Sequence, residues 1–137
     1  MYILDTNIIS ELRKAGKTHQ NVRKWAERLP SASLYISVIS VLELEIGILL
    51  VERRDKAQGA ILRVWMDRHV LPTFSGRILA IDTAVVQRCA TLHVPNPRSD
   101  RDALIAATAL VHGLTVATRN IADFECAGVS VLNPWEA

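Results

Sequence analysis

Tyr2-Ile3-Leu4-Asp5-Thr6-Asn7 starts the chain with an apolar run that stops at a carboxylate and two small polar residues. Ile8, Ile9 and Leu12 then fall at helical spacing. The pattern predicts a buried first strand, a tight turn and a helix. In an open α/β sheet, ligands bind outside the carboxyl ends of the strands, so Asp5 is expected on a functional rim.

The same alternation continues outward from that stretch. Thr18 is placed to cap a helix carrying Val22, Trp25, Ala26 and Leu29. Leu34-Tyr35-Ile36 reads as a second strand. Ser37 or Ser40 can cap the long helix that follows to about Arg54, whose apolar residues (Val41, Leu42, Leu44, Ile46, Ile48, Leu49, Leu50) predict burial on more than one side. Asp55 starts a further helix through Ile61, Leu62, Trp65 and Met66, before Pro72, Ser75 and Gly76 interrupt. A third strand is expected from Ile78 to Ile81, then a helix capped by Asp82. Ser99 caps an Ala-rich helix that ends at Gly113, and strands are expected from Leu114 to Ala117 and from Val129 to Leu132. Strands alternating with helices imply parallel pairing through right-handed crossovers. The expected fold is a single three-layer α/β/α domain over 1–137 with a central parallel sheet of four to five strands.

Bulk properties narrow the partners. The 137 residues are 50% hydrophobic and 22% charged, enough for one globular core. A formal net charge of +2 permits a nucleic-acid partner without demanding one. Cys89 and Cys126 match neither a zinc spacing nor a disulfide framework, which points to a reducing, cytoplasmic setting. The N-terminus lacks a signal-peptide pattern, and no apolar segment is long enough to span a bilayer.

In a parallel α/β sheet each crossover helix runs back against the strands, so helix N-termini share an edge with strand C-termini. Asp5 ends the first strand, Glu43 lies in the first turns of the helix after the second, and Asp102 lies in the first turn of the helix before the fourth. Asn120 follows the fourth strand. All should reach one rim. Each has a plain local explanation: Ser40-Val41-Leu42-Glu43 and Ser99-Asp100-Arg101-Asp102 fit capping boxes, and Asp5, Asn120 and Asp123 suit turns. Those explanations do not account for three remote carboxylates aimed at one edge. Clustered carboxylates repel unless something positive lies among them. Oxygen ligands select hard cations, Mg²⁺ or Mn²⁺, whereas His19, His69, His93 and His112 show no paired ligand spacing. Such an ion can lower the pKa of a water and stabilise in-line displacement at phosphorus, so phosphodiester hydrolysis is the natural chemistry.

Four segments together resemble the PIN-domain ribonucleases, specifically the VapC-type toxins and their FitB-like branch. They are Leu4-Asp5-Thr6-Asn7, Ser37-Val38-Ile39-Ser40-Val41-Leu42-Glu43-Leu44 with Gly47, Asp102-Ala103-Leu104-Ile105-Ala106-Ala107-Thr108-Ala109, and Val116-Ala117-Thr118-Arg119-Asn120. The closing Asn133-Pro134-Trp135 fits as well, and the resemblance spans the chain in order. It implies a Mg²⁺- or Mn²⁺-dependent endoribonuclease with Asp5, Glu43 and Asp102 as catalytic, metal-holding acids. A fourth acid is common after the fourth strand; Asn120 stands at the aligned position and Asp123 is the nearest carboxylate. Thr6, Asn7 and Thr118 look like groups that orient the acids or the water. Gly47, one helical turn from Glu43, is expected to let another helix pack, with close approach of substrate backbone as the alternative. The resemblance further implies a cognate VapB-like antitoxin and a homodimer, with the apolar faces of residues 18–29 and 55–71 available to either.

A polyanionic substrate still needs cations. Arg98 and Arg101 flank Asp102 and are the first candidates for RNA phosphate contacts, with Arg119 next; Arg13, Lys14, Lys17, Arg23 and Lys24 are further ones. At 5% aromatic residues, an extended base-stacking platform is not expected. Dehalogenase-like phosphatases and receiver domains also end a first strand in Asp, but both use a late Lys, and no Lys follows Lys56. A catalytically weak RNA- or partner-binding module and a DNA-directed nuclease on the same fold are the alternatives.

Overall fold

The computed structural model describes residues 1–14, 16–125 and 127–137; Cys126 lies outside them, and Cys89 is a buried free thiol. Strands β1 (Tyr2–Leu4), β2 (Leu34–Ser37), β3 (Ile78–Leu79), β4 (Thr115–Ala117) and β5 (Val131–Leu132) form one sheet in the order β3-β2-β1-β4-β5. Every pairing is parallel. The helices are α1 (Thr6–Leu12), α2 (Gln20–Glu27), α3 (Val38–Arg54), α4 (Lys56–Trp65), α5 (Leu71–Thr73), α6 (Thr83–Leu92), α7 (Asp100–His112) and α8 (Ala122–Glu125).

Alternation along the central strands builds the three layers, because successive side chains face opposite sides of a sheet. Leu4 and Ala117 join Ile8, Trp25, Ile36, Ile48 and Met66 beneath α1 to α5. Ile3 and Val116 join Ile105, Ala109 and Phe124 beneath α7 and α8. Helix α6 packs on α7 through Val85 and Cys89 against Ala103 and Ala107, where small side chains allow close approach. After β3 the chain returns past β1 to form β4, so β1 and β4 flank the point where the winding reverses. That crevice is where an open α/β sheet binds ligands. Asp5 extends the β1–β4 pairing, its amide donating to the Ala117 carbonyl at 2.9 Å.

The edge strands are shorter than the sequence suggests. β3 and β5 each have one partner and pair over two residues, because β2 turns into helix at Val38 and β4 ends at Ala117. Helix starts also differ. Ser37, not Ser40, caps α3, its hydroxyl accepting from the Ile39 amide at 2.9 Å. Thr18 does not cap α2: its hydroxyl reaches the Glu11 and Lys14 carbonyls, and His19 Nδ1 accepts from the Asn21 amide instead. Ser99 holds the cap position of α7 without a side-chain cap bond. Gly113, at φ +67°, ends that helix in the left-handed conformation that glycine adopts without strain.

Helix α3 is not buried on several sides. Ile39, Leu44 and Ile48 face the core, whereas Leu42, Leu49 and Leu50 are 46%, 54% and 57% exposed. The apolar face of α2 belongs to the core, with Trp25 edge-on to Tyr2 at a ring separation of 5.1 Å, so it is not an open contact surface. Ile61 and Val64 of α4 do face outward. Helix α4 lies so close to α3 that a Cβ at Gly59 would come within 2.5 Å of Glu52 Cγ and 2.7 Å of Glu52 Cα. Arg63 bridges the same pair of helices to Glu45 at 2.7 Å and Glu52 at 3.2 Å. Beyond Trp65 the helix does not stop; it widens into a π-turn over Met66–Val70, where the Leu71 amide reaches the Met66 carbonyl, and Pro72 is taken into the next helical turn. Among the described residues no helix is long and apolar enough to cross a membrane.

Candidate active site

Asp5 leaves β1 at the carboxyl edge and caps α1. Its Oδ1 accepts from the Thr6 amide at 2.8 Å and its Oδ2 from the Thr118 hydroxyl at 2.8 Å. Thr118 is the residue immediately after β4, so the two central strands place donor and acceptor side by side. It is fully buried and also receives the Asn120 amide at 2.9 Å. Asn7 Nδ2 is within 3.4 Å of Asp5 and 3.5 Å of Thr118, while Asn7 Oδ1 is buried without a hydrogen-bond partner among the described residues.

Glu43 arrives from the second turn of α3. Because Ser37 is the cap, Glu43 is not the far end of a capping box at Ser40. Thr6 Oγ1 lies 2.7 Å from Glu43 Oε1 and 2.9 Å from Ser40 Oγ. With a single proton, Thr6 donates to the charged acceptor, and the buried Ser40 hydroxyl donates to Thr6. The turn after β1 is thereby tied to α3. Ser40 is a positioning group the sequence hid, since Ser at the third position of a helix reads as a cap when the helix start is unknown. Its separation of three residues from Glu43 was the available signal.

Asp102 comes from the first turn of α7. Its carboxyl is pushed up to about 6, first by burial and then by the charges of Asp5, Asp123 and Glu43. Asp5, only 7% exposed, is likewise raised; burial is the main cause, Thr118 and the Thr6 amide oppose it, and Glu43 and Asp123 add to it. The charges of Glu43 and Asp123 bear on both Asp5 and Asp102, and that of Asp5 bears on Asp102, which brings four carboxylates within one field. Asp123 acts on both Asp5 and the partly buried Asp102 from α8, whereas Asn120 contributes a backbone amide to Thr118 and has an exposed side chain.

The basic candidates separate. Arg101 Nη1 stands 3.8 Å from Glu43 Oε2. Arg98 turns toward α6, its Nε donating to the Leu92 carbonyl at 2.9 Å and its amide to His93 Nδ1 at 3.1 Å. Arg119 lies over the Trp135 ring at 5.1 Å. His93 Nε2 is 3.5 Å from Asp100, and the imidazoles at 19 and 93 serve local hydrogen bonds. Gly47 is exposed, and a Cβ there would meet nothing within 4 Å, so it does not serve helix packing. It lines a groove of about 250 Å³ that runs from Thr6 and Glu43 to Arg13 and Trp65. A neighbouring apolar cavity of about 200 Å³, lined by Leu4, Ile9, Trp65 and Phe74, does not include the acids.

The donor set suits a hard cation. It offers carboxylate oxygens, the unpartnered Asn7 Oδ1 and no paired imidazole or thiolate, and the raised Asp5 and Asp102 would be relieved by positive charge. No three of the described His, Cys, Asp and Glu side chains already stand in a chelating arrangement. Glu43 is instead drawn to Thr6 and Arg101.

Residues 2–125 match the family model for the PIN domain. A plasmid stability protein, StbB, from Pseudomonas syringae pv. tomato is 39% identical across 100% of both chains. The VapC ribonuclease Y4jK of Sinorhizobium fredii is 37% identical over 99% of each, and the toxin FitB of Neisseria gonorrhoeae is 36% identical over 98% of this chain and 99% of FitB. Among solved structures, the crystal structure of FitAcB from Neisseria gonorrhoeae superposes with a TM-score of 0.91 at 35% identity, covering 100% of both chains.

Proposed function

The chain belongs to the PIN-domain family, and on that premise we propose that it is a Mg²⁺- or Mn²⁺-dependent endoribonuclease toxin, working as one domain in the cytoplasm and restrained by a cognate antitoxin. The observation that carries this reading is the convergence of Asp5, Glu43, Asp102 and Asp123 at the β1–β4 crevice, where the charges of Glu43 and Asp123 raise the carboxyls of both Asp5 and Asp102. Relatives named as a ribonuclease and as a toxin support the class of activity.

Asp5, Glu43 and Asp102 would hold the ion, with Asp123 in the fourth-acid role. Asn120 is the weaker choice because its side chain adds no charge. Bound there, Mg²⁺ or Mn²⁺ would supply the positive charge that favours an ionised attacking water and offsets the charge developing at phosphorus. The protein's part is orientation. Thr118 and the Thr6 amide fix both oxygens of Asp5, and Thr6 with Ser40 fixes Glu43. Arg101, 3.8 Å from Glu43, is the first candidate to hold the scissile phosphate; Arg119, braced on Trp135, and Arg98 are the further candidates. Shape and exposed single-stranded loops suit a site with so few aromatic residues. The antitoxin, and a second copy of the chain, are the expected protein partners; the outward Ile61 and Val64 of α4 are available to such contacts.

The test is cleavage of a total-RNA pool by the purified chain with Mg²⁺, Mn²⁺ or chelator, beside Asp5→Asn. Metal-dependent cuts that disappear in the variant are expected. No cleavage of RNA with either ion by folded, antitoxin-free protein would overturn the reading in favour of a binding module. Cuts in DNA alone would make it a DNA-directed nuclease.

A further inference from the structure

Arg101 occupies an unusual place on the acid rim, because its two natural partners compete. It lies in the first turn of α7, next to Asp102 in the chain, and its guanidinium points across the crevice to Glu43 Oε2 at 3.8 Å. The other Glu43 oxygen takes the Thr6 hydroxyl at 2.7 Å. Both oxygens of that carboxylate are therefore engaged, one by a neutral donor and one by a cation. The start of α7 is anchored, since the preceding loop is pinned where Arg98 donates to His93 and to the Leu92 carbonyl. The Arg101 side chain is not, being 49% exposed against 28% for Glu43. Rotation about its own bonds can carry the guanidinium off Glu43 without moving the helix that positions Asp102.

A pair of this length and exposure is weak. A divalent ion at the same carboxylate would be bound more strongly and would repel the guanidinium. The planar guanidinium in turn matches a phosphate better than it matches a single carboxylate oxygen at this distance.

We propose that Arg101 is an internal rival of the divalent cation for Glu43: it neutralises that carboxylate, gives it up when the cation enters, and is thereby released to hold the substrate phosphate. The proposal rests on the nuclease reading of the site. It makes Arg101 a substrate-binding residue that links the two binding events, so that the cation creates the phosphate-binding group as well as the charge beside it. A fixed phosphate contact would act the same whether or not the cation is present, and a merely structural arginine would affect neither ligand selectively.

The experiment titrates the full chain with Mn²⁺ alone, following free Mn²⁺ by electron paramagnetic resonance, in the parent protein, Arg101→Gln, Arg101→Lys, Glu43→Gln and the Arg101→Gln/Glu43→Gln pair. Circular dichroism melts confirm that each is folded. Arg101→Gln should bind Mn²⁺ about threefold tighter, the scale that a half-exposed ion pair supports. Arg101→Lys should stay near the parent value, and the gain should vanish when Glu43 is already Gln. The second readout is the affinity for a short oligoribonucleotide with Ca²⁺ or with chelator. The loss caused by Arg101→Gln should be at least about twofold larger with Ca²⁺. Equal Mn²⁺ affinity in the parent and Arg101→Gln, or equal RNA losses in both conditions, overturns the rivalry while leaving the nuclease site standing. Mn²⁺ binding that Glu43→Gln does not weaken removes the site assignment itself, and the proposal with it.

Discussion

Replacing Asp102 with Asn should stabilise the protein at neutral pH, and the size of the gain follows from the site. The folded carboxyl is raised from 3.8 to about 6 by burial and by three neighbouring carboxylates. Its ionised form is therefore less welcome in the folded state than in the unfolded chain. A shift of roughly two units sets a ceiling of about 3 kcal/mol. The side chain is only partly buried, and solvent screening reduces the effect to the order of 1 kcal/mol. The sign follows from linkage: with the folded pKa above the unfolded one, the parent chain loses stability as pH rises from about 4 to about 6 and stays at the lower level above that. Asn carries no such charge and adds no steric bulk. In metal-free buffer at pH 7.5, Asp102→Asn should melt about 3–5 °C above the parent. The difference should shrink toward nothing below about pH 3, where both states of the parent are mostly protonated. Thermal melts followed by circular dichroism at four pH values provide the comparison. A variant that is no more stable at pH 7.5, or whose gain does not depend on pH, would show that Asp102 does not share a field with the other acids.

Thr118→Val deletes the 2.8 Å bond to Asp5 and strands the Asn120 amide; a loss of about 2 kcal/mol in urea melts is expected. Because that bond holds the Asp5 pKa down, the rising limb of the cleavage pH profile should also move to higher pH, and an unmoved limb would remove Thr118 from the site. Gly59→Ala should cost a net 1–2 kcal/mol, roughly, despite better helix propensity, because the new methyl meets Glu52 backbone; a stabilised variant would mean that α3 and α4 separate easily. Glu11 is held below its ordinary 4.5, chiefly by the His19 amide and then by Lys14. Its contribution is full above that value and fades as pH falls through the folded pKa. Glu11→Gln should lose about 1 kcal/mol at pH 7 and progressively less as the pH falls through the folded pKa; a loss that does not change with pH would contradict the pairing.

The layer order and the acid rim were legible because they depend on period and topology. Leu4 before Asp5 marks where a buried strand stops, and helix starts at Ser37 and Ser99 put Glu43 and Asp102 on the same side. What sequence could not supply was choice among equivalent local chemistries. Ser37 and Ser40 are equally good caps in isolation, and only the strand length selects Ser37, which frees Ser40 for Thr6. Thr18 and His19 are separated by the same kind of decision, settled when Glu11 claims the His19 amide. The exposed Leu42, Leu49 and Leu50 defeat periodicity altogether, since an apolar side chain facing outward looks the same as one facing a neighbour. Asn120 against Asp123 turns on where a four-residue helix points, which no spacing rule fixes.

The central position of β1 also has a meaning in time. Asp5 is made first, but its closest side-chain partner, Thr118, lies 113 residues later, and Asp102 belongs to the last third of the chain. A ribosome that has released β1 through β3 has supplied three of the five strands and two of the four acids. The crevice between β1 and β4 has only one wall until β4 emerges. For a chain proposed to cut RNA, the order of synthesis therefore withholds the blade until almost the whole protein is present, and by then a partner made alongside has had the full translation time to accumulate.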